Sequence, residues 1–60
     1  MENDEYRGFI VTINGDSYPL FSRNNSIVYF PYARYFIGKP LDVVLEWFID
    51  IRGAKIKEQK

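Results

Sequence analysis

Asp42, Glu46 and Asp50 recur at every fourth position. On a helix that spacing lines three carboxylates along one side, about 6 Å apart. Carboxylates placed this way can divide acid and base roles in hydrolysis or hold a hard cation. Nothing else in the chain supports such chemistry. The 60 residues contain no histidine and no cysteine, so the commonest general base, the thiolate nucleophile and the usual zinc ligands are missing. Gly38-Lys39 lacks the spacing and the following Ser or Thr of a phosphate loop. The three acids read more simply as the solvated side of an amphipathic helix. The expectation is therefore no catalytic residue, no metal site and no cofactor.

Large contact surface, by contrast, is abundant. Five of the eight residues from Tyr29 to Phe36 are aromatic, and Arg34 sits among them. Tyr, Phe, Trp and Arg are the types enriched at protein interfaces and their hot spots. Tyr29, Tyr32, Arg34, Tyr35 and Phe36 are thus the candidate partner-binding residues. The competing role for these rings is to close a small core around Trp47 and Phe48. A third role is a platform on which single-stranded bases stack, with Arg7, Arg23, Arg34 and Lys39 nearby. Eight acidic and eight basic residues cancel, and that neutrality, with the acidic stripe, weighs against nucleic acid. The reading is a small non-catalytic protein-binding module (a regulator, inhibitor or accessory subunit), with a single-stranded nucleic-acid binder as the alternative.

A chain this short buries only ~60% of the surface its unfolded form exposes, and natural domains below roughly 70 residues usually carry a staple. Without cysteine the available staples are ring packing, at ~150–250 Å² per aromatic side chain, and self-association. A homodimer is expected on that ground. Charge is polarised along the chain: Glu2, Asp4 and Glu5 lie at one end, and Arg52, Lys55, Lys57 and Lys60 at the other. Such ends either attract one another or stay solvated. The acidic start does not read as a signal peptide, and the uncharged stretch 24–33 falls far short of the ~20 residues a membrane span needs. No membrane association and a cytoplasmic location follow as expectations. Small cysteine-free chains of this kind are common among phage and virus products, which is an association only.

The elements that must position these residues begin with a hairpin. Gly8 to Ile13 is rich in β-branched and aromatic residues and stops at Asn14-Gly15-Asp16, a strong turn signal. Ser17 to Phe21 returns. Phe9, Val11, Ile13, Tyr18 and Leu20 then share one face, taken as the core. Arg23-Asn24-Asn25 punctuates, and Ser26 to Phe30 reads as a third strand. Pro19 poses a problem of strand order, because a simple meander puts it in a central strand where it costs a ladder bond. Residues 31–38 form either one helical turn or an extended loop; in a turn, Tyr32, Tyr35 and Phe36 share one side.

Residues 41–52 fit both periodicities. As a strand, every odd position is apolar. As a helix, all but the Asp42/Glu46/Asp50 stripe and adjacent Arg52 are buried or shielded. Pro40 suits a first helical position, Asp42 the positive end of the dipole, and Gly53 the left-handed position past the end, so helix is preferred. The expected fold is α+β in a single domain, 1–60. A three-stranded antiparallel sheet over residues 8–30 carries one C-terminal helix on its Phe9/Val11/Ile13 face, with 1–6 and 54–60 flexible. A small all-β barrel is the alternative.

Overall fold

Asn14 and Gly15 take φ of 53° and 85°, the left-handed pair that a two-residue hairpin turn matched to strand twist requires. In the computed structural model, which describes residues 4–59, this turn joins strand β1 (Tyr6–Ile13) to β2 (Asp16–Arg23). Register runs from Ile13 opposite Asp16 to Tyr6 opposite Arg23. Asn24 and Asn25, at φ 51° and 66°, make the same kind of turn into β3 (Ser26–Tyr29). The core face is the one expected: Phe9, Val11, Ile13 and Leu20 are buried and Tyr18 is half-buried.

The sheet has four strands rather than three. Residues 55–59, read from sequence as part of a charged tail, form β4 (Lys55–Gln59) and pair antiparallel with β1. Sheet order is β3-β2-β1-β4, an open sheet and not a barrel. Arg7 secures the new strand: its Nε and Nη2 donate to the two carboxylate oxygens of Glu58, both at 2.9 Å. That hydrogen bonding raises the affinity of Arg7 for its proton. The two ends of the chain do meet, but through an ion pair of opposite polarity to the expected one. The acidic end instead reaches the β2–β3 turn. Arg23 Nη2 donates to Asp4 at 2.7 Å, Asn24 Nδ2 donates to Asp4 at 3.1 Å, and the Glu5 N–H donates to Asn24 Oδ1 at 2.8 Å.

Pro19 lies opposite Ile10 in β2, which is flanked by β1 and β3. The ladder survives because β3 is short. Tyr29 pairs with Phe21 and the strand ends there, so no residue of β3 faces Pro19. A bulge at Val28 lets Ile27 pair with Ser22 and Tyr29 with Phe21.

After Phe30 the chain makes a 3₁₀ turn (Arg34–Phe36), resolving the choice between turn and loop. Residues 38–41 then hydrogen-bond back along β3: Gly38 N–H donates to the Ile27 carbonyl at 2.7 Å, and Ile27 N–H to that of Lys39 at 3.0 Å. Residues 41–52 are helical, in two parts. An α-helix α1 (Leu41–Trp47) runs into a π-helical turn (Phe48–Arg52). Pro40 sits one place earlier than expected, as the extended residue capping α1, with its carbonyl accepting from the Val44 N–H at 3.1 Å. Gly53 ends the π turn at φ 63°, the left-handed position foreseen for it. Leu41, Val44 and Phe48 close the core over β1 and β2 together with Ile27, Phe30 and Ala54.

Candidate functional site

The five sequence-nominated residues do not form one patch. Tyr32 joins the core, edge-on to Tyr18 at 5.0 Å and to Phe48 at 5.6 Å between ring centroids. Phe36 is half-buried against Phe48 and Trp47. Tyr35 points outward, 73% exposed. Arg34 is exposed and makes no ion pair among the described residues. Tyr29 belongs to the other side of the sheet, where it packs on Phe21 at 5.8 Å. The i, i+3, i+4 grouping of Tyr32, Tyr35 and Phe36 is therefore broken: two turn inward and Tyr35 turns out.

Two separate surfaces emerge. On the helical side, Tyr35, Phe36, Lys39, Pro40, Val43 and Trp47 line a groove of about 500 Å³. The return of residues 38–41 along β3 sets Lys39 and Pro40 beside α1, and the 3₁₀ turn supplies the opposite wall. Val43 and Trp47 lie one helical turn apart and are 59% and 38% exposed, although sequence reasoning had shielded every position off the acidic stripe. Ile49 and Ile51 are exposed as well. Lys39 Nζ lies 4.9 Å from the centroid of the Tyr35 ring, and Arg52 Cζ lies 5.7 Å from that of Trp47. The second contact owes its geometry to the π turn, whose wider spacing carries Arg52 back over the ring five residues earlier. Neither cation forms an ion pair among the described residues.

Asp42, Glu46 and Asp50 are exposed and are not among the residues that line the groove. Asp42 Oδ1 accepts from its neighbour's N–H (Val43, 2.9 Å) and from Asn25 Nδ2 at 3.3 Å. Among the described residues no group of three or more acids assembles a cation site.

On the helix-free side, one row crosses all four strands: Tyr29, Phe21, Gly8 and Gln59, each opposite the next. Gly8 leaves room for this ring: a Cβ there would stand 3.0 Å from Phe21 Cε1 and press the ring outward by a few tenths of an ångström. The adjacent rows on this face hold Tyr6 opposite Arg23, and Pro19, Ile10 and Lys57 in line. Tyr6 is 67% exposed, with Arg23 Cζ 5.9 Å from its ring centroid. Phe21 and Tyr29 are about half exposed.

Val43 and Trp47 of the groove, and Tyr6 and Phe21 of the sheet face, were not nominated from sequence, and Lys39 was named only as a cation near a base-stacking platform. Strand parity from the Asn14-Gly15 turn already puts Phe21 opposite the core face, and a glycine directly across from it was the available signal. No helix among the described residues is long and apolar enough to cross a membrane. Comparison with protein-family models, with curated proteins and with solved structures finds no match to this chain.

Proposed function

We propose that the chain is a small non-catalytic protein-binding module, a regulator, inhibitor or accessory subunit, that takes an apolar, acid-flanked segment into the Tyr35–Trp47 groove. One observation carries the reading: both exposed rings of the groove are overlain by cations, Lys39 and Arg52, that have no carboxylate partner among the described residues. Apolar walls with an unneutralised basic rim favour a ligand that brings hydrophobic anchors and carboxylates together. A second copy of the chain has that chemistry, since its own Val43 and Trp47 are flanked by Asp42 and Glu46. A homodimer through this groove is the simplest form of the proposal and suits a chain with so small a core. The non-catalytic part rests on the absence of histidine and cysteine. A cytoplasmic site of action belongs to the same proposal, supported by a chain without cysteine.

The test combines sedimentation of the purified chain with capture of partners from lysate in the presence of nuclease. Tyr35→Ser and Val43→Glu change exposed side chains, and circular dichroism of each variant is expected to match the wild type. They are expected to abolish self-association or nuclease-resistant capture. Association and capture that survive both substitutions would refute the groove as the contact surface.

A further inference from the structure

We infer that the helix-free face of the sheet is a second binding site, one that stacks the bases of single-stranded nucleic acid on Tyr29, Phe21 and Tyr6. This goes beyond the groove reading and uses a different surface. Three lines of observation carry it.

The first is ring presentation. Phe21, held over Gly8, and Tyr29, 5.8 Å away at an interplanar angle of 33°, offer two adjoining, half-exposed rings on a twisted but open sheet. Tyr6 lies in the neighbouring row. A shallow pocket of about 390 Å³ opens between Tyr6, Phe21 and Gln59 above Gly8. Bases splayed from a single strand stack on such rings, and stacking is tolerant of sequence because every base has a π face. At the pocket's end the exposed Gln59 amide has both a donor and an acceptor for a base edge.

The second is charge. Register places Lys55 opposite Thr12 and Lys57 opposite Ile10, on this face, while Ile56 and Glu58 lie opposite Val11 and Phe9 on the core side. Neither lysine forms an ion pair among the described residues. Arg23 adds a third cation, already held by Asp4 at 2.7 Å. Among the described residues, Asp4 is the sole carboxylate placed with this face by its contacts, and Asp42, Glu46 and Asp50 ride on the helix that covers the opposite face. Arg23 thus lies beside the Tyr6 ring, and Lys57 and Lys55 stand on the same face on β4, one and two rows from the Phe21 row, positive charge suited to a phosphate backbone.

The third is scale. Two free lysines and one shared arginine are too few for a duplex-binding footprint, but they suit a short single strand. Release of counterions from two or three phosphates, at about −0.7 each for a single strand, predicts a slope of log K against log salt between about −1.4 and −2.1, the steeper value if Arg23 takes part in full.

The experiment is fluorescence anisotropy of the purified chain with a short fluorescein-labelled oligodeoxythymidylate, and with the matching duplex as a control, across a salt series beginning at low ionic strength. Saturable binding of the single strand, with the slope of two or three phosphates and much weaker binding of the duplex, is the expected result. Tyr6→Ala and Tyr29→Ala, both at exposed rings, should each weaken binding about tenfold. Phe21→Leu keeps apolar volume while removing the ring, and should do the same without unfolding the sheet. Lys57→Gln should weaken binding and flatten the salt slope. Tyr35→Ser, in the groove, should leave oligonucleotide binding unchanged, and that separates this site from the protein-binding one. Absence of binding at low salt would overturn the inference. So would equal affinity for duplex, or binding that ignores all three ring substitutions and responds to salt alone. Loss of protein capture on Tyr29→Ala, without oligonucleotide binding, would assign the face to a protein and overturn it too.

Discussion

Replacing Phe48 with alanine removes the ring around which the others are arranged. Its side chain is fully buried, and its centroid stands 5.0 Å from those of Phe36 and Trp47 and 5.6 Å from those of Phe30 and Tyr32. Deleting a fully buried phenylalanine costs about 3–5 kcal/mol, from lost transfer energy and from a cavity the surroundings fill only in part. A 60-residue domain has roughly 3–9 kcal/mol in total at the usual stability per residue. Phe48→Ala should therefore remove half or more of the total stability and bring the chain close to the margin of folding at room temperature. Phe21→Ala is the matched control: the same side chain, but 46% exposed on the other face. Half the burial of a phenylalanine corresponds to about 1 kcal/mol.

Urea denaturation followed by the emission of Trp47, the single tryptophan, measures both. At ~1 kcal/mol per molar urea for so small a protein, Phe21→Ala should lower the midpoint by about 1 M. Phe48→Leu, which keeps aliphatic bulk and loses the edge-to-face contacts, should lower it by about 1–2 M and supplies a number if the alanine variant cannot be measured. Because Phe48 touches the reporter, midpoints rather than amplitudes carry the comparison, and circular dichroism must give the same ones. Equal shifts for Phe48→Ala and Phe21→Ala would refute the assignment of inside and outside faces on which the two-surface description rests.

Two further outcomes follow from local geometry. Hydrogen bonds from Asn24 and then Arg23 hold the Asp4 carboxyl below the usual carboxylate range, so the unfolded chain binds its proton more readily than the folded one does. The stability this group contributes is present above the ordinary pKa of about 3.9 and is lost as pH falls through the lowered value. Urea midpoints of the wild type should decline over that acid window more steeply than those of Asp4→Asn. Gly53→Ala should cost about 1 kcal/mol through backbone strain alone, since φ is 63° and a Cβ there would meet nothing within 4 Å; a thermal midpoint that does not move would contradict the left-handed end of the π turn.

What could be read from the sequence was what local chemistry decides. Asn14-Gly15 fixed a turn, the turn fixed side-chain parity, and parity named Phe9, Val11, Ile13 and Leu20 as core before any tertiary contact was known. Gly53 announced the helix end in the same way. β4 escaped because its partner is remote. Gln59 pairs with Gly8 at the far end of the chain, and among five residues only Ile56 is apolar, so the alternation of Ile56 and Glu58 toward the core side is drowned by charge. Residues 41–52 looked double because Val43, Ile49 and Ile51 are aliphatic yet face solvent, filling the strand period without being needed by the helix. The aromatic run misled for a related reason. Neighbours in sequence are not neighbours on a surface: the Val28 bulge sets Tyr29 on the helix-free face, the chain leaves the sheet at Pro31, and Tyr29 and Tyr35 end on opposite sides of the molecule.

Net charge carried less information than it promised, and the reason is geometric. Neutrality together with three carboxylates counted against nucleic acid only so long as all charges were taken to share one surface. The fold separates them. Asp42, Glu46 and Asp50 lie on α1 and the turn after it, whereas Lys55 and Lys57 alternate onto the bare side of β4, with the sheet and the core between. At physiological salt, exposed charges more than about 8–10 Å apart are largely screened, comparable with the ~10 Å between packed layers. Each face therefore presents its own local sign to a ligand: Lys55 and Lys57 on the bare side of the sheet, and Lys39 and Arg52 at the rim of the Trp47 groove. The same lysines also line the open edge of β4, where positive charge discourages strand-by-strand association, while residues 38–41 cover the β3 edge. With one edge charged and the other covered, strand addition is disfavoured at both edges, and both proposals accordingly place binding on the faces, at the exposed rings.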